Sequence, residues 1–247
     1  MNYRIIPLVL LKYTSEQGVM TYLMHYGQMI LRPYVMWVIE GGSKKILVDT
    51  AIERKDYMSY HPDFKSLSMD NLMGFEDALA SVHLRPEEID LVIQTHLHFD
   101  HCYNTRKCRN AKVVVQKDEL EMAQAPLALF KNLYRQALLD GLDYEVVQGD
   151  CCLTKGIELI HVPGHSPGGQ AVSVQTASGK AVISGFCSTL ENFYPEKTNP
   201  FIGHPVILPG ILMDAVKAYE SILKIKEKAD LILPLHDPGV LQMKTIP

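Results

Sequence analysis

Leu91-Val92-Ile93-Gln94-Thr95 runs directly into His96-Leu97-His98-Phe99-Asp100-His101. An apolar run rich in β-branched residues reads as a buried strand. The fold must therefore end a buried strand in a segment that carries three imidazoles and a carboxylate. Loops at strand exits carry function because the strand below holds them in place. In extended backbone, side chains two residues apart point the same way, so His96 and His98 converge on one point. Asp100 and His101 lie past the bend and face a neighbouring one. Imidazole and carboxylate suit Zn, and also Fe or Mn.

Two other strand-like runs end in histidine. Residues 157–162 lead into Pro163-Gly164-His165-Ser166-Pro167-Gly168-Gly169, where Pro163 and Gly164 set a turn that aims His165 into a pocket. Residues 231–235 lead into His236-Asp237. A lone histidine at a strand end is more often structural than chemical, and His236 gains weight only beside the other two segments. His25, His61, His83 and His204 stand alone and read as surface or loop residues, and His161 as a core or supporting residue.

Residues 36–40 and 45–49 flank a glycine turn and predict a hairpin. The apolar run 5–11 reads as a first buried strand rather than a signal peptide. Residues 52–73 fit neither period and predict a loop or short helices beside the mouth of the site. A short helix at 75–82, a turn opened by Pro86, and a strand at 111–115 follow. Helices are expected at 117–124 and 126–139, strands at 171–174 and 181–184, and a long amphipathic helix at 207–228. Strands in both halves with helices between them predict sheets covered by helices. No linker interrupts them, so one domain over 1–247 is expected.

Lys plus Arg number 24 and Asp plus Glu 28, giving a formal net charge of -4. With no basic stripe, a nucleic-acid partner is not expected. No apolar run reaches the roughly 20 residues of a membrane span. The five cysteines are Cys102, Cys108, Cys151, Cys152 and Cys187. Their odd number and the vicinal pair fit reduced thiols in the cytoplasm better than a disulfide framework. Cys151-Cys152 reads as a buried pair near a turn.

His96, His98, Asp100 and His101 carry an H-x-H-x-D-H pattern, and with His165 and His236 the chain resembles the metallo-β-lactamase superfamily. Leu47-Val48-Asp49-Thr50 resembles that family's early Asp-Thr strand end, with Ala51 where glycine is usual. Within the superfamily the chain length, Glu191-Asn192-Phe193 and the closing His236-Asp237 look most like the N-acyl homoserine lactone lactonases. The resemblance implies an α+β, four-layer αββα sandwich with its site at one edge. It implies two divalent metal ions, most naturally Zn with Fe or Mn as alternatives. His96, His98 and His165 would hold one, and Asp100, His101 and His236 the other, with Asp49 orienting a ligand. It implies hydrolysis of a lactone or small ester by water activated at neutral pH, with Asp100 handling the proton. The partner would be a small-molecule substrate. The oligomeric state stays open, a homodimer included. A glyoxalase II-type thioesterase, and an iron-binding or redox protein on the same fold, are the alternatives.

The family usually has an aspartate bridging both metals after the strand that precedes the final helix. Here the stretch reads Ser184-Gly185-Phe186-Cys187-Ser188-Thr189. Register leaves Gly185, Phe186 or Cys187 at that position. Two dications with Asp100 and one hydroxide leave a formal charge of about +2, and uncompensated buried charge is costly. Cys187 is the one residue of 185–189 able to supply an anion, so it is a candidate ligand. Packing as a small hydrophobe is the competing reading. Ser188, Thr189 and Leu190 occupy the neighbourhood of the lactonases' substrate-facing tyrosine, and Tyr194 lies farther along.

Overall fold

The computed structural model describes residues 2–60, 68–186, 188–199 and 205–247. Two sheets stack face to face. The first has seven strands: β1 (Arg4–Glu16), β2 (Met29–Glu40), β3 (Ile46–Val48), β4 (Met69–Asn71), β5 (Leu91–Ile93), β6 (Lys112–Gln116) and β7 (Tyr144–Val147), in the order β4-β1-β2-β3-β5-β6-β7. The second has five: β8 (Cys151–Thr154), β9 (Ile157–His161), β10 (Gln170–Thr176), β11 (Gly179–Ile183) and β12 (Leu231–Leu233), in the order β12-β11-β10-β9-β8. The expected hairpin is the antiparallel β2–β3 pair, with Val38 opposite Leu47. From β3 onward the first sheet is parallel, through β5 and β6 to β7.

The layers follow from strand alternation, which sends successive side chains to opposite faces. Ile5, Val35, Trp37, Ile39 and Val48 of the first sheet meet Leu159, Val172, Val174 and Ile183 of the second in the central core. Val38, Leu47 and Val92 face outward and pack against helix α2 (Phe75–Ala80) through Phe75, Ala78 and Leu79. On the other side Ile160, Ala171 and Val182 pack against helix α7 (Ala215–Lys228) through Ala218, Ile222 and Ile225. Those helical positions recur at three- and four-residue spacing, one face of a 3.6-residue period. The order is helix, sheet, sheet, helix, as the resemblance implies. No helix among the described residues is long and apolar enough to cross a membrane.

Four expectations need correction. Helix α7 begins at Ala215, not 207, because Pro209 and Gly210 interrupt the period and Asp214 caps the helix through the Lys217 N–H at 3.0 Å. Residues 126–139 are helical only in the single turn α5 (Gln136–Leu139). Leu127 and Leu129 are exposed there, so no continuous apolar face exists to hold a longer helix. The Cys151-Cys152 pair lies on β8, with Cys152 exposed. Residues 52–73 contain helix α1 (Arg54–Tyr60) but also β4, which pairs antiparallel to β1; His61 and His204 lie outside the described residues.

Candidate metal centre

The histidine-bearing segments leave from the same edge of the sandwich. Asp49 follows β3, His96 follows β5, His165 follows β9 and His236 follows β12. Open sheets bind ligands beyond the carboxyl ends of their parallel strands. The Gln170 N–H donates to the Thr95 carbonyl at 2.8 Å, which ties the His165 turn to the β5 exit. Asp100 and His101 sit on a one-turn helix, α3 (Phe99–Cys102).

His96, His98 and His165 present ligand atoms within 4.8 Å of one another, and Asp100, His101 and His236 form a second such set. All five imidazoles are buried. Four of them are oriented through Nδ1. His165 donates to the Ile211 carbonyl at 2.6 Å and His236 to the Pro33 carbonyl at 2.9 Å. His101 Nδ1 is 2.9 Å from Asp49 Oδ2. The Thr95 hydroxyl donates to Asp49 Oδ2 at 2.7 Å, so at 3.0 Å from His96 Nδ1 it accepts. Asp49 thereby steers one imidazole of each set. It does so at a φ of 57°, a left-handed backbone that costs about 1–2 kcal/mol in a non-glycine residue. Ala51, at φ 49°, shows why glycine is usual there. Asn104 grips the strained turn by donating to the Thr50 and Ala51 carbonyls.

The donor set fits metal ions. His96 Nε2 and His98 Nε2 are buried with no hydrogen-bond partner. Leaving a buried polar atom unmet costs about 1–3 kcal/mol, and a cation at the centre of the set removes that cost. Burial pushes His96, His98 and His236 well below the usual imidazole range, aided by neighbouring positive groups, and takes His165 down to about 4. The donors are therefore neutral, as ligation requires. Burial also lowers His101, but the Asp100 and Asp49 carboxylates outweigh it and raise its pKa overall.

These shifts set an acid profile for metal-free protein. Below about 6.5 the unfolded chain protonates the four depressed imidazoles, while folded His165 resists until about 4. The contribution of these four is thus full above 6.5 and lost as pH falls through that window, by up to about 1.4 kcal/mol per pH unit for each imidazole. His101 acts in the opposite sense, above 6.5. Urea midpoints of chelated protein at pH 7.5, 6.5 and 5.5 should fall steeply between the last two; a level series would contradict this reading.

The position of the family's extra aspartate is narrowed. Phe186 is buried in the core under α7, with its ring 5.7 Å from that of Phe193 on helix α6 (Leu190–Phe193), and does not line the cavity. Gly185 has φ 78°, and a Cβ there would lie 2.1 Å from the Gln170 carbonyl oxygen. Neither takes a ligand's place, and Cys187 lies outside the described residues. Tyr194 is exposed beneath Lys226, and His161 is half-buried beside the Pro167 carbonyl.

Three further residues complete the site, and one of them, Tyr57, falls in the segment expected beside its mouth. Tyr34 and Tyr57 line the cavity, whose volume is about 200 Å³. Burial raises both phenols, so they remain protonated donors. Glu119, on helix α4 (Lys117–Gln124), is wholly buried. Its Oε1 accepts from the Leu97 N–H at 2.8 Å and the Tyr134 hydroxyl at 3.2 Å, and its Oε2 from the Gly168 N–H at 3.1 Å. It joins the His96–His98 segment to the His165 turn. A Cβ at Gly168 would lie 2.1 Å from the Glu119 backbone nitrogen, so this approach requires glycine.

An αββα sandwich with a three-histidine set and an aspartate-histidine-histidine set at one edge defines a metallohydrolase architecture. The profile of the metallo-beta-lactamase superfamily matches residues 30–232, and the chain belongs to that superfamily. Among its relatives, an N-acyl homoserine lactonase from a Bacillus species is 29% identical over 210 residues, 81% of this chain and 78% of that protein. An N-acyl homoserine lactonase of Rhizobium radiobacter is 28% identical over 228 residues, 85% and 80% respectively. The fold superposes on a variant of the B. thuringiensis lactonase AiiA solved with N-decanoyl-L-homoserine at its active site. The TM-score is 0.79 at 21% identity, covering 98% of this chain and 96% of that one.

Proposed function

We propose that this chain is a single-domain, metal-dependent lactonase of the cytoplasm. The observation that carries the reading is the closure of two three-donor sets on one cavity, with His96 Nε2 and His98 Nε2 buried and unmet. His96, His98 and His165 would hold one ion, and Asp100, His101 and His236 the other. Nitrogen donors with one carboxylate favour Zn. When bound, the ions supply a nucleophile from water at neutral pH and polarise a carbonyl. The named activity of the relatives supports a lactone as substrate.

The chain's own residues do the rest. The Asp100 carboxylate, 3.7 Å from His101 Nε2, takes the proton of the attacking water and returns it to the alkoxide released on ring opening. Phe99, Leu133, Ile211 and Val19 give the cavity an apolar wall for the substrate's carbon skeleton. Tyr34 and Tyr57 offer hydroxyl donors in the same cavity, where the lactonases' tyrosine has no counterpart at residues 188–190.

Zn-loaded protein should open γ-lactones with a rate that disappears on chelation, and prefer them to thioesters. Asp100→Asn should lower kcat about 100-fold or more, the scale of general acid–base assistance. Turnover of thioesters alone would transfer the site to the glyoxalase II-type reading; no metal-dependent turnover of lactone, ester or thioester would remove the hydrolase reading.

A further inference from the structure

The cavity that holds both donor sets is also lined by Arg32, which the chemistry above leaves unused. Arg32 lies on β2 and is only 6% exposed. Tyr13 is its cross-strand partner on β1, and Tyr34 is two residues along the same strand face. Arg32 Nη1 donates to the hydroxyls of Tyr13 and Ser15, each at 3.4 Å, and Nη2 to the Tyr34 hydroxyl at 3.3 Å. The guanidinium carbon stands 5.3 Å from the Tyr13 ring centroid and 5.7 Å from that of Tyr34. Two strands therefore fix where the guanidinium sits.

The same strand ties it to the metal centre. Pro33, between Arg32 and Tyr34, accepts from His236, and the Tyr34 and His236 rings meet edge-on at 5.1 Å. A guanidinium keeps its charge in any protein environment. Arg32 shares one cavity with both donor sets, so its charge sits in the space where they close on a ligand. A permanent cation that lines the cavity away from the donor atoms discriminates between substrates by their charge. An anionic lactone is drawn into the cavity and oriented there.

We infer that the lactone opened by this chain carries a carboxylate, and that Arg32 is the residue that selects it. This rests on the lactonase reading. A hydrogen bond between a guanidinium and a carboxylate is about twice as strong as one between neutral groups. A cavity of about 200 Å³ lined by Arg32 and by both donor sets has room for a small ring with a short charged arm.

The test uses Zn-loaded protein and two matched probes, 5-oxotetrahydrofuran-2-carboxylate and its primary carboxamide. The wild type should favour the acid by roughly 10- to 100-fold in kcat/KM, the range of a charge-assisted hydrogen bond, with the difference in KM. Arg32→Gln, shown folded by a cooperative melt, should lose that preference, with kcat/KM falling far more for the acid than for the carboxamide. Arg32→Lys should keep part of it. Calorimetric binding of the ring-opened hydroxy dicarboxylate should weaken by the same factor in Arg32→Gln, a readout independent of turnover. Equal treatment of acid and amide by the wild type, or a loss shared by both in Arg32→Gln, overturns the inference. Tighter binding of the corresponding phosphonate overturns the carboxylate assignment. If neither lactone is opened, the lactonase reading falls; calorimetry then decides Arg32 alone, dicarboxylate binding lost in Arg32→Gln supporting it and unaltered binding overturning it.

Discussion

Protein carrying His96→Ala together with His98→Ala will bind one metal ion fewer per chain than the wild type and open lactones at least about 1,000-fold more slowly. Two of the three nitrogens of one set disappear, and His165 alone, held to Ile211, cannot retain an ion against water. The stability readout is as informative as the rate. A ligand that binds only the folded state stabilises it by about 2.7 kcal/mol at a hundredfold excess over its Kd. Added Zn should therefore raise the wild-type melting temperature more than that of the variant, which keeps only the set of Asp100, His101 and His236. Without metal the two proteins should differ less, because the variant loses packing but also loses two buried, unmet nitrogens. Wild-type metal content in the double variant, measured by elemental analysis, would disprove the assignment of this set.

Much of the site could be read from the chain because its donors stand at the ends of apolar runs. A buried strand leading into His96, another into His165 and a third into His236 are local patterns, and their convergence follows once the strands share an edge. Asp49 was legible for the same reason. Arg32 was not, since Leu31-Arg32-Pro33 within an apolar strand carries no local sign that the guanidinium turns inward. Glu119 was hidden more deeply. It sits among Lys117, Asp118 and Glu121 on a helix whose charges look like a solvated face, and only the tertiary approach of Leu97 and Gly168 makes it a buried acceptor. The segments misread as helix, 126–135 and 207–214, share a cause. Their backbone carbonyls serve other elements: Leu133 accepts from the Phe99 N–H and Ile211 from His165.

Glu119→Ala is expected to destabilise the protein by about 3–5 kcal/mol, since each buried donor left unmet costs about 1–3 kcal/mol. Three are at stake: the N–H groups of Leu97 and Gly168 and the hydroxyl of Tyr134. For a domain of this size the melting temperature should fall by roughly 2–4 °C per kcal/mol. Stability alone would mark Glu119 as a packing residue, but its position argues for more. Leu97 lies between His96 and His98, Gly168 closes the His165 turn, and Tyr134 packs its ring 5.0 Å from that of His98. One carboxylate thus fixes the spacing of all three nitrogens in the first set. Burial raises its pKa, and the N–H donors of Leu97 and Gly168 pull back against that rise. Glu119→Gln keeps one acceptor and turns the other into a donor that faces an N–H, so it should recover only part of the stability. Supporting residues of this kind change metal affinity by about 10- to 100-fold. Competition with a chromophoric chelator should show that loss in Glu119→Gln under conditions where the variant is fully folded. A folded Gln variant with wild-type affinity would mean that the spacing of His96, His98 and His165 is held without this carboxylate.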